Sequence, residues 1–165
     1  MMKRLWTPWR MEYILSDKSD HETGCLFCTK ARQRNDRENL ILYRGTRTYT
    51  ILNLYPYNNG HLLVVPYQHT RNVDELDDET LADIMLEVKR AVRALQKAMS
   101  PDGFNMGINI GRSAGAGVDN HVHMHVVPRW VGDSNFMPVV GETRLIPEDP
   151  QTTYDHLLQA GIAER

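Results

Sequence analysis

Cysteine is scarce in this chain of 165 residues, in which only Cys25 and Cys28 occur. Two cysteines so close together cannot cross-link a small secreted fold, so the pair favours metal binding or redox chemistry over a structural disulfide. Long apolar runs are also missing, and Lys3, Arg4 and Arg10 interrupt the first stretch. A signal peptide or a membrane-spanning helix needs such a run. We therefore expect a cytoplasmic protein with no membrane partner.

A strong excess of charge is absent as well, because 19 Lys and Arg stand against 21 Asp and Glu, for a formal net charge of −2. So weak a field does not attract nucleic acid, and we expect no nucleic-acid partner. An anionic small substrate would need local positive groups or backbone N–H donors. The length suits one core, so we expect a single domain over residues 1–165, with an N-terminal arm at 1–24 and an irregular C-terminal tail at 129–165.

Hydrophobic patterning indicates strands, then one long helix, then further strands. The predicted strands are at residues 40–43, 49–54, 61–66, 104–110 and 121–127, and a short helix is predicted near 154–160. The long helix should begin at Asp77 or Asp78, both good N-caps, and bury one stripe made of Leu81, Ile84, Met85, Val88, Val92 and Leu95. Hairpin-length connections between such elements favour an α+β domain with a mostly antiparallel sheet, one long helix and short helices.

Three histidines alternate with apolar residues along the last predicted strand: His121, His123 and His125 are separated by Val122 and Met124. Because successive side chains of a strand point to opposite faces, the imidazoles should share one face while the apolar side chains enter the core. The pattern has three interpretations: a solvated strand face, a metal site of neutral imidazoles, or nucleophilic and acid–base catalysis. Three histidines in succession are an unusual way to fill a solvated face, which weighs against the first.

The run from His121 to Val127 resembles the motif of the histidine-triad nucleotide hydrolases and transferases. Upstream, residues 53–69 are similar to the ribose-contacting region of that family, and residues 109–117 are similar to its phosphate-binding stretch. The resemblance covers most of the domain, from residue 25 to residue 130, and implies the histidine-triad fold. It also implies a homodimer with a joined sheet.

The residues after the motif narrow the resemblance to one branch. Pro128-Arg129-Trp130 is similar to the fragile-histidine-triad and bacterial diadenosine-tetraphosphate phosphorylase-like branch, and unlike the Gly-Gly-Arg of the phosphoramidase branch. The implied activity is nucleotide hydrolysis or nucleotidyl transfer on a dinucleoside polyphosphate such as diadenosine tetraphosphate, with water or phosphate as acceptor. A nucleoside phosphoramidase, and a nucleotide-binding protein with little turnover, are the alternatives.

The resemblance assigns a catalytic group of four histidines. His123 would attack the nucleotide phosphate and form a covalent nucleotidyl-histidine intermediate. His125 would reach the same phosphate and donate to its oxygens or pass a proton to the leaving group. The remaining members are His121 and His61, of which His61 would buttress the cluster.

Substrate contacts are implied for four further residues. Asn53 would bind the ribose hydroxyls, and Asn109, Gly115 and Gly117 would lie along the phosphates. The family often has Gln, then Ser or Thr, where Ala116 and Gly117 stand in this chain. We therefore expect backbone N–H groups of residues 115–118 to contact the phosphate instead, since glycine lets a chain approach an anion closely.

A metal site is implied by four residues that match the ligands of zinc-bearing family members: Cys25, Cys28, His69 and His121. Two thiolates and two imidazoles give closed tetrahedral coordination, which is typical of structural zinc. Such a site would tie the knuckle formed by residues 25–28 to the central sheet. The alternatives are a redox pair, two plain buried thiols, and a metal hydrolase in which the three histidines of the motif hold a catalytic zinc.

Overall fold

The computed structural model describes residues 24–133 and 146–164. The predicted arm, apart from Gly24, and residues 134–145 and 165 of the predicted tail lie outside the described residues. The helices are Leu26–Arg32 (α1), Asp36–Asn39 (α2), Asp78–Met99 (α3) and Pro150–Gln159 (α4), and the strands are Ile41–Arg44 (β1), Thr48–Leu52 (β2), Leu62–Pro66 (β3), Gly103–Ile108 (β4) and Met124–Arg129 (β5). Short 3₁₀ turns lie at Val73–Glu75 and Arg112–Ala114.

The five strands form one sheet in the order β1-β2-β3-β5-β4, and every neighbouring pair is antiparallel. The predicted α+β domain with a mostly antiparallel sheet and one long helix is therefore confirmed. Strand β5 lies between β3 and β4, so its backbone is hydrogen-bonded on both sides. His125 is paired with Leu63 on one side and with Gly107 on the other.

Helix α3 begins after Asp77, the first of the two predicted N-caps, whose side chain accepts the backbone N–H of Thr80 at 2.6 Å. It packs across β2, β3 and β5. The predicted buried stripe is wrong at Met85, whose side chain is 55% exposed. Each helical residue turns about 100°, so Met85 lies beside the stripe that its neighbour Ile84 joins, and small residues such as Ala91 complete the buried face.

Within the described residues, no helix combines the length and apolar character needed to cross a membrane.

Helix α3 covers one face of the sheet, and the other face carries His125. Side chains alternate along β5, so Val126 and Pro128 do not share the face of His125. A Cβ added at Gly60 would lie 2.9 Å from the side chains of Leu95 and Met99 in α3 and 3.4 Å from Pro128. The Pro128 face is thus the helix face, and His125 points away from α3.

The histidine run is only partly a strand, and the prediction of a strand over 121–127 is wrong at its start. Strand β5 begins at Met124, so His121 and His123 precede it. The cause is local bonding: the N–H of Val122 donates to the carbonyl of Thr70 at 2.7 Å instead of to a ladder partner. The exposed fractions of the three histidines are 1%, 6% and 9%, so the solvated-face interpretation is also wrong.

Candidate active site

The turn between β2 and β3, residues 53–60, brings Asn53 next to His61. The backbone N–H of Asn53 donates to the carbonyl of His61 at 2.9 Å, and the Asn53 side-chain oxygen accepts the N–H of Tyr55 at 3.0 Å. Gly60 closes this turn with a φ of +71°, a conformation that favours glycine. The Asn53 amide nitrogen is then 3.2 Å from Nδ1 of His61.

His61 and His125 form a buried pair, with Nε2 of His61 2.9 Å from Nδ1 of His125. The backbone N–H of Tyr57 also lies 3.0 Å from Nδ1 of His61. A backbone amide only donates, so Nδ1 of His61 accepts and its proton is on Nε2. That proton is donated to Nδ1 of His125, which leaves the proton of neutral His125 on Nε2.

Burial keeps His61 neutral, which this proton arrangement requires. Desolvation, with smaller contributions from His125 and His123, lowers the pKa of His61 to about 3. Protonation of His125 on Nδ1 would set two N–H groups against each other across 2.9 Å. The pair therefore holds His125 as a neutral imidazole that presents an N–H from Nε2.

His123 is oriented by the backbone of the same run. Its Nδ1 is 2.8 Å from the carbonyl oxygen of His121. A carbonyl only accepts, so the proton of His123 is on Nδ1 and the lone pair is on Nε2. Burial lowers the pKa of His123, an effect that the contact with the His121 carbonyl opposes. The rings of His123 and His125 are 4.8 Å apart between centroids, so a ring with a lone pair on Nε2 lies beside a ring with an N–H on Nε2.

Asn109 reaches the same centre from the end of β4. Its side-chain nitrogen lies 3.4 Å from Nε2 of His125. The two ends of an amide exchange by a half-turn of the side chain, so Asn109 can also present its oxygen to the proton on that nitrogen. Asn53, His61, His123, His125 and Asn109 are thus joined by direct contacts around one centre.

The glycine-rich loop before His121 differs from the expectation. The N–H of Gly115 donates to the carbonyl of Arg112 at 3.0 Å, and the N–H of Ala116 donates to that of Gly111 at 3.4 Å. These two N–H groups close the loop in this structure and do not point freely to an anion. Gly117 lies farther along the same loop, which leads into His121.

The four predicted metal ligands converge on one point, since the ligand atoms of Cys25, Cys28, His69 and His121 all lie within 4.8 Å of one another. Nδ1 of His69 and Nδ1 of His121 are 3.3 Å apart. The sulfur-to-nitrogen distances are 3.2 Å for Cys25 to His121, 3.4 Å for Cys28 to His69 and 3.6 Å for Cys28 to His121. Ordinary zinc bond lengths in a tetrahedron place two nitrogens about 3.3 Å apart and nitrogen and sulfur about 3.5 Å apart. The donor set fits Zn²⁺.

The surroundings of these ligands fit a metal as well. Nε2 of His121 is 2.9 Å from the carbonyl of Pro66, the kind of outer contact that fixes a metal-binding imidazole. Burial lowers the pKa of His121 to about 4, so the ring is neutral and able to ligate. Burial and Cys25 raise the pKa of the Cys28 thiol, and a bound cation would reverse that effect. Among the described residues, the group that can hold a metal contains neither His123 nor His125, so the geometry does not support a catalytic zinc on the three histidines.

Two contacts were not anticipated from the sequence. The ring of Tyr57 lies over His61 and His125, and the ring of Phe27, between the two cysteines, lies 4.9 Å from His123. The sequence gives a local indication for Phe27, because this apolar residue lies inside the Cys-x-x-Cys knuckle. For Tyr57 the indication is weaker, since it is only an aromatic residue in a turn.

The side chains of Arg129 and Trp130, which follow the motif, make hydrogen bonds within the fold. Arg129 binds the carboxylate of Asp133 through two nitrogens at 2.6 and 2.7 Å. Asp133 also accepts from the side chain of Asn58 at 2.8 Å, which fastens the turn of residues 53–60 to the end of β5. The indole N–H of Trp130 donates to the carbonyl of Met99 at 3.3 Å.

Comparison with known families matches residues 34–131, more than half of the chain, to a family model described as the HIT domain. The matched range includes His61 and the histidine run, whereas Cys25 and Cys28 lie before it. The site built from contacts between distant parts of the chain therefore coincides with a recognised domain.

Individual proteins similar to this chain include members with the same kind of domain. The AP-4-A phosphorylase of Mycobacterium tuberculosis strain H37Rv is 41% identical over 152 residues, which cover 89% of this chain and 78% of that protein. The adenosine 5'-monophosphoramidase of Schizosaccharomyces pombe is 35% identical over 106 residues, covering 64% and 74%. A crystal structure of a zinc-bound histidine triad family protein from Mycobacterium smegmatis matches with a TM-score of 0.68 and 29% identity, covering 83% of this chain and 92% of that one.

Proposed function

The chain belongs to the HIT domain family, and from that premise we propose that it cleaves a dinucleoside polyphosphate by transferring a nucleotidyl group through His123. The predicted resemblance to this family and to its fold is confirmed. Membership supports an enzyme that hydrolyses or transfers nucleotides. The choice of substrate, acceptor and residues is our proposal.

The observation that carries the proposal is the set of contacts that orients His123 and His125, from which their proton positions follow. His123 keeps its proton on Nδ1 against the His121 carbonyl, 2.8 Å away, and presents a lone pair at Nε2. That nitrogen forms a bond to the α-phosphorus while the bond from phosphorus to the bridging oxygen breaks, and the electron pair leaves with the nucleotide polyphosphate. Nε2–H of His125 stabilises the charge on the phosphate oxygens. The acceptor then breaks the P–N bond and frees His123.

A polyphosphate leaving group suits the neutral state of His125. A departing nucleotide polyphosphate is a stable anion and needs no proton, whereas the amine that leaves from a phosphoramidate must be protonated. The contact with His61 opposes a second proton on His125, since Nε2 of His61 already donates to it across 2.9 Å. This favours the dinucleoside polyphosphate over the phosphoramidate as substrate, in line with the kinship to an AP-4-A phosphorylase at 41% identity.

The products of the reaction identify the acceptor of the nucleotidyl group. Attack on an α-phosphate of diadenosine tetraphosphate releases ATP and leaves AMP on His123. Water then gives AMP, and inorganic phosphate gives ADP. We propose phosphate, because the relative named above is a phosphorylase, and we expect ADP only in reactions that contain phosphate. AMP in both reactions would show a hydrolase. Turnover of adenosine 5'-phosphoramidate without turnover of the tetraphosphate would contradict the proposal, and binding without turnover of either would reveal a binding protein.

We propose that Zn²⁺ is held by Cys25, Cys28, His69 and His121. When bound, the ion would act as a structural cross-link with no open position for water. The donor set and spacing support this, and the similar protein from Mycobacterium smegmatis is zinc-bound. The four residues would fasten α1 and the segment after β3 to the start of the histidine run.

We further propose a homodimer joined through the edge of the sheet at β4. Among the strands of the described residues, β4 lies at one edge of the sheet, and such an edge can pair with a second copy. Along this edge Asn105, Met106 and Gly107 are exposed, with 54% of Met106 accessible. Light scattering coupled to size exclusion should give twice the mass of the chain, and Met106→Lys should lower it. A monomer at all concentrations would contradict the assembly.

A further inference from the structure

The ring of Tyr57 covers His61 and His125, the two histidines that are joined by a hydrogen bond. Its centroid is 4.7 Å from that of His61 and 5.5 Å from that of His125, with interplanar angles of 41° and 17°. His61 and His125 are 0% and 9% exposed, whereas Tyr57 is 39% exposed. The tyrosine therefore forms a layer between solvent and the hydrogen bond that joins the two imidazoles.

The backbone of Tyr57 acts on the same pair. Its N–H donates to Nδ1 of His61 at 3.0 Å and is the contact that assigns the proton of His61 to Nε2. The ring of Tyr57 then limits the rotation of His125 and the access of water to the hydrogen bond between His61 and His125. Near-parallel stacking opposes rotation of the His125 ring, and exclusion of water strengthens the bond from His61.

Tyr57 is itself held in place by its neighbour in the turn. The side chain of Asn58 donates to the carbonyl of Pro128 at 3.1 Å and to Asp133 at 2.8 Å. Asp133 is fixed in turn by its bidentate ion pair with Arg129. The turn residue next to the tyrosine is thus hydrogen-bonded to the end of β5, the strand that carries His125.

We infer that Tyr57 is a positioning residue, whose N–H and ring together keep His61 and His125 in the single proton arrangement that presents Nε2–H of His125 to the substrate. In this role it acts through His125. This inference rests on the proposed function for its catalytic consequence, but the proton arrangement itself is a property of the protein without substrate.

The first measurement uses the wild-type protein labelled with ¹⁵N-histidine. Long-range ¹H–¹⁵N correlation spectra distinguish the two neutral tautomers of each imidazole. We expect His61 and His125 each to be one tautomer, protonated on Nε2. A proton on Nδ1 of His61, or a mixture of tautomers at either ring, would overturn the inference without any variant. This result is independent of whether diadenosine tetraphosphate is a substrate, so it separates failure of the inference from failure of the proposed function.

The second measurement removes the ring. Tyr57→Leu removes the ring and keeps the backbone N–H, and it should give mixed tautomers at His125. We expect kcat to fall on the order of tenfold to a hundredfold and KM to change much less, because the misplaced group acts in the transition state. Tyr57→Phe should restore both the single tautomer and most of the lost kcat. Tyr55→Leu, the same change at a ring that is 62% exposed in the same turn, should leave the tautomers as in wild type. A Leu variant with wild-type kcat and one tautomer, or a Phe variant as impaired as the Leu variant, would refute the role of the ring.

Discussion

The backbone carbonyl of His121 holds the side chain of His123, with 2.8 Å between the oxygen and Nδ1. The side chain of His121 meanwhile belongs to the Cys/His cluster, 3.2 Å from the sulfur of Cys25. One residue thus joins the candidate metal centre to the candidate nucleophile. In our proposal, metal binding would belong to the side chain of His121 and catalysis to His123 and His125, so the two interpretations of the histidine run would apply to different members of it.

Replacement of the candidate nucleophile is the most direct test. His123→Ala should lower turnover of diadenosine tetraphosphate by several powers of ten, since no other group in the centre presents an equivalent lone pair. Circular dichroism should show a retained fold. Mass spectrometry of wild-type protein quenched during turnover should find a nucleotide on His123. His156→Ala, at a half-exposed histidine paired with Glu148, is the matched control and should retain activity. Full activity of His123→Ala would contradict the mechanism.

The sequence could predict the elements better than the contacts between them. The long helix, its cap at Asp77 and the antiparallel sheet follow from local patterns, and the convergence of the Cys/His set follows from family resemblance. The pairing of His61 with His125 spans 64 positions, and no local pattern places the Tyr57 ring over both. The start of β5 was also beyond local patterning, because Val122 bonds to Thr70, a residue outside the sheet.

Metal content should depend on the four clustered side chains. Protein purified without chelator should carry about one zinc per chain, as a closed four-ligand site requires. Cys25→Ser and His69→Ala should lower both the zinc content and the melting temperature, because metal binding contributes to the free energy of folding. His156→Ala should change neither. Elemental analysis and thermal melts measure these quantities, and the absence of zinc from wild-type protein would refute the assignment.

The free energy of unfolding should depend on pH through His61. Its pKa is about 3 in the folded protein, below the ordinary value of 6.5. Between these two values the unfolded chain binds more protons, so the free energy of unfolding rises with pH from 3 to 6.5 and gains nothing more from this group above 6.5. Denaturant titrations at a series of pH values measure the slope. His61→Gln should reduce it, and an equal slope in the variant would assign the dependence to other groups.

A chelator titration separates a structural ion from a catalytic one. Zinc held by Cys25, Cys28, His69 and His121 would have no open coordination position. The proposed attack needs a free lone pair on His123, so His123 cannot be a metal ligand in this mechanism. The ion would then support activity only by holding α1 and the start of the histidine run in place. Activity and near-UV circular dichroism should therefore fall together as chelator is added, and any fraction that stays folded should stay active. A metal hydrolase would behave differently, since activity would vanish with unchanged dichroism and return with added zinc. That early, reversible loss would remove His123 as the nucleophile, because the chemistry would then need the metal itself and not the lone pair on Nε2.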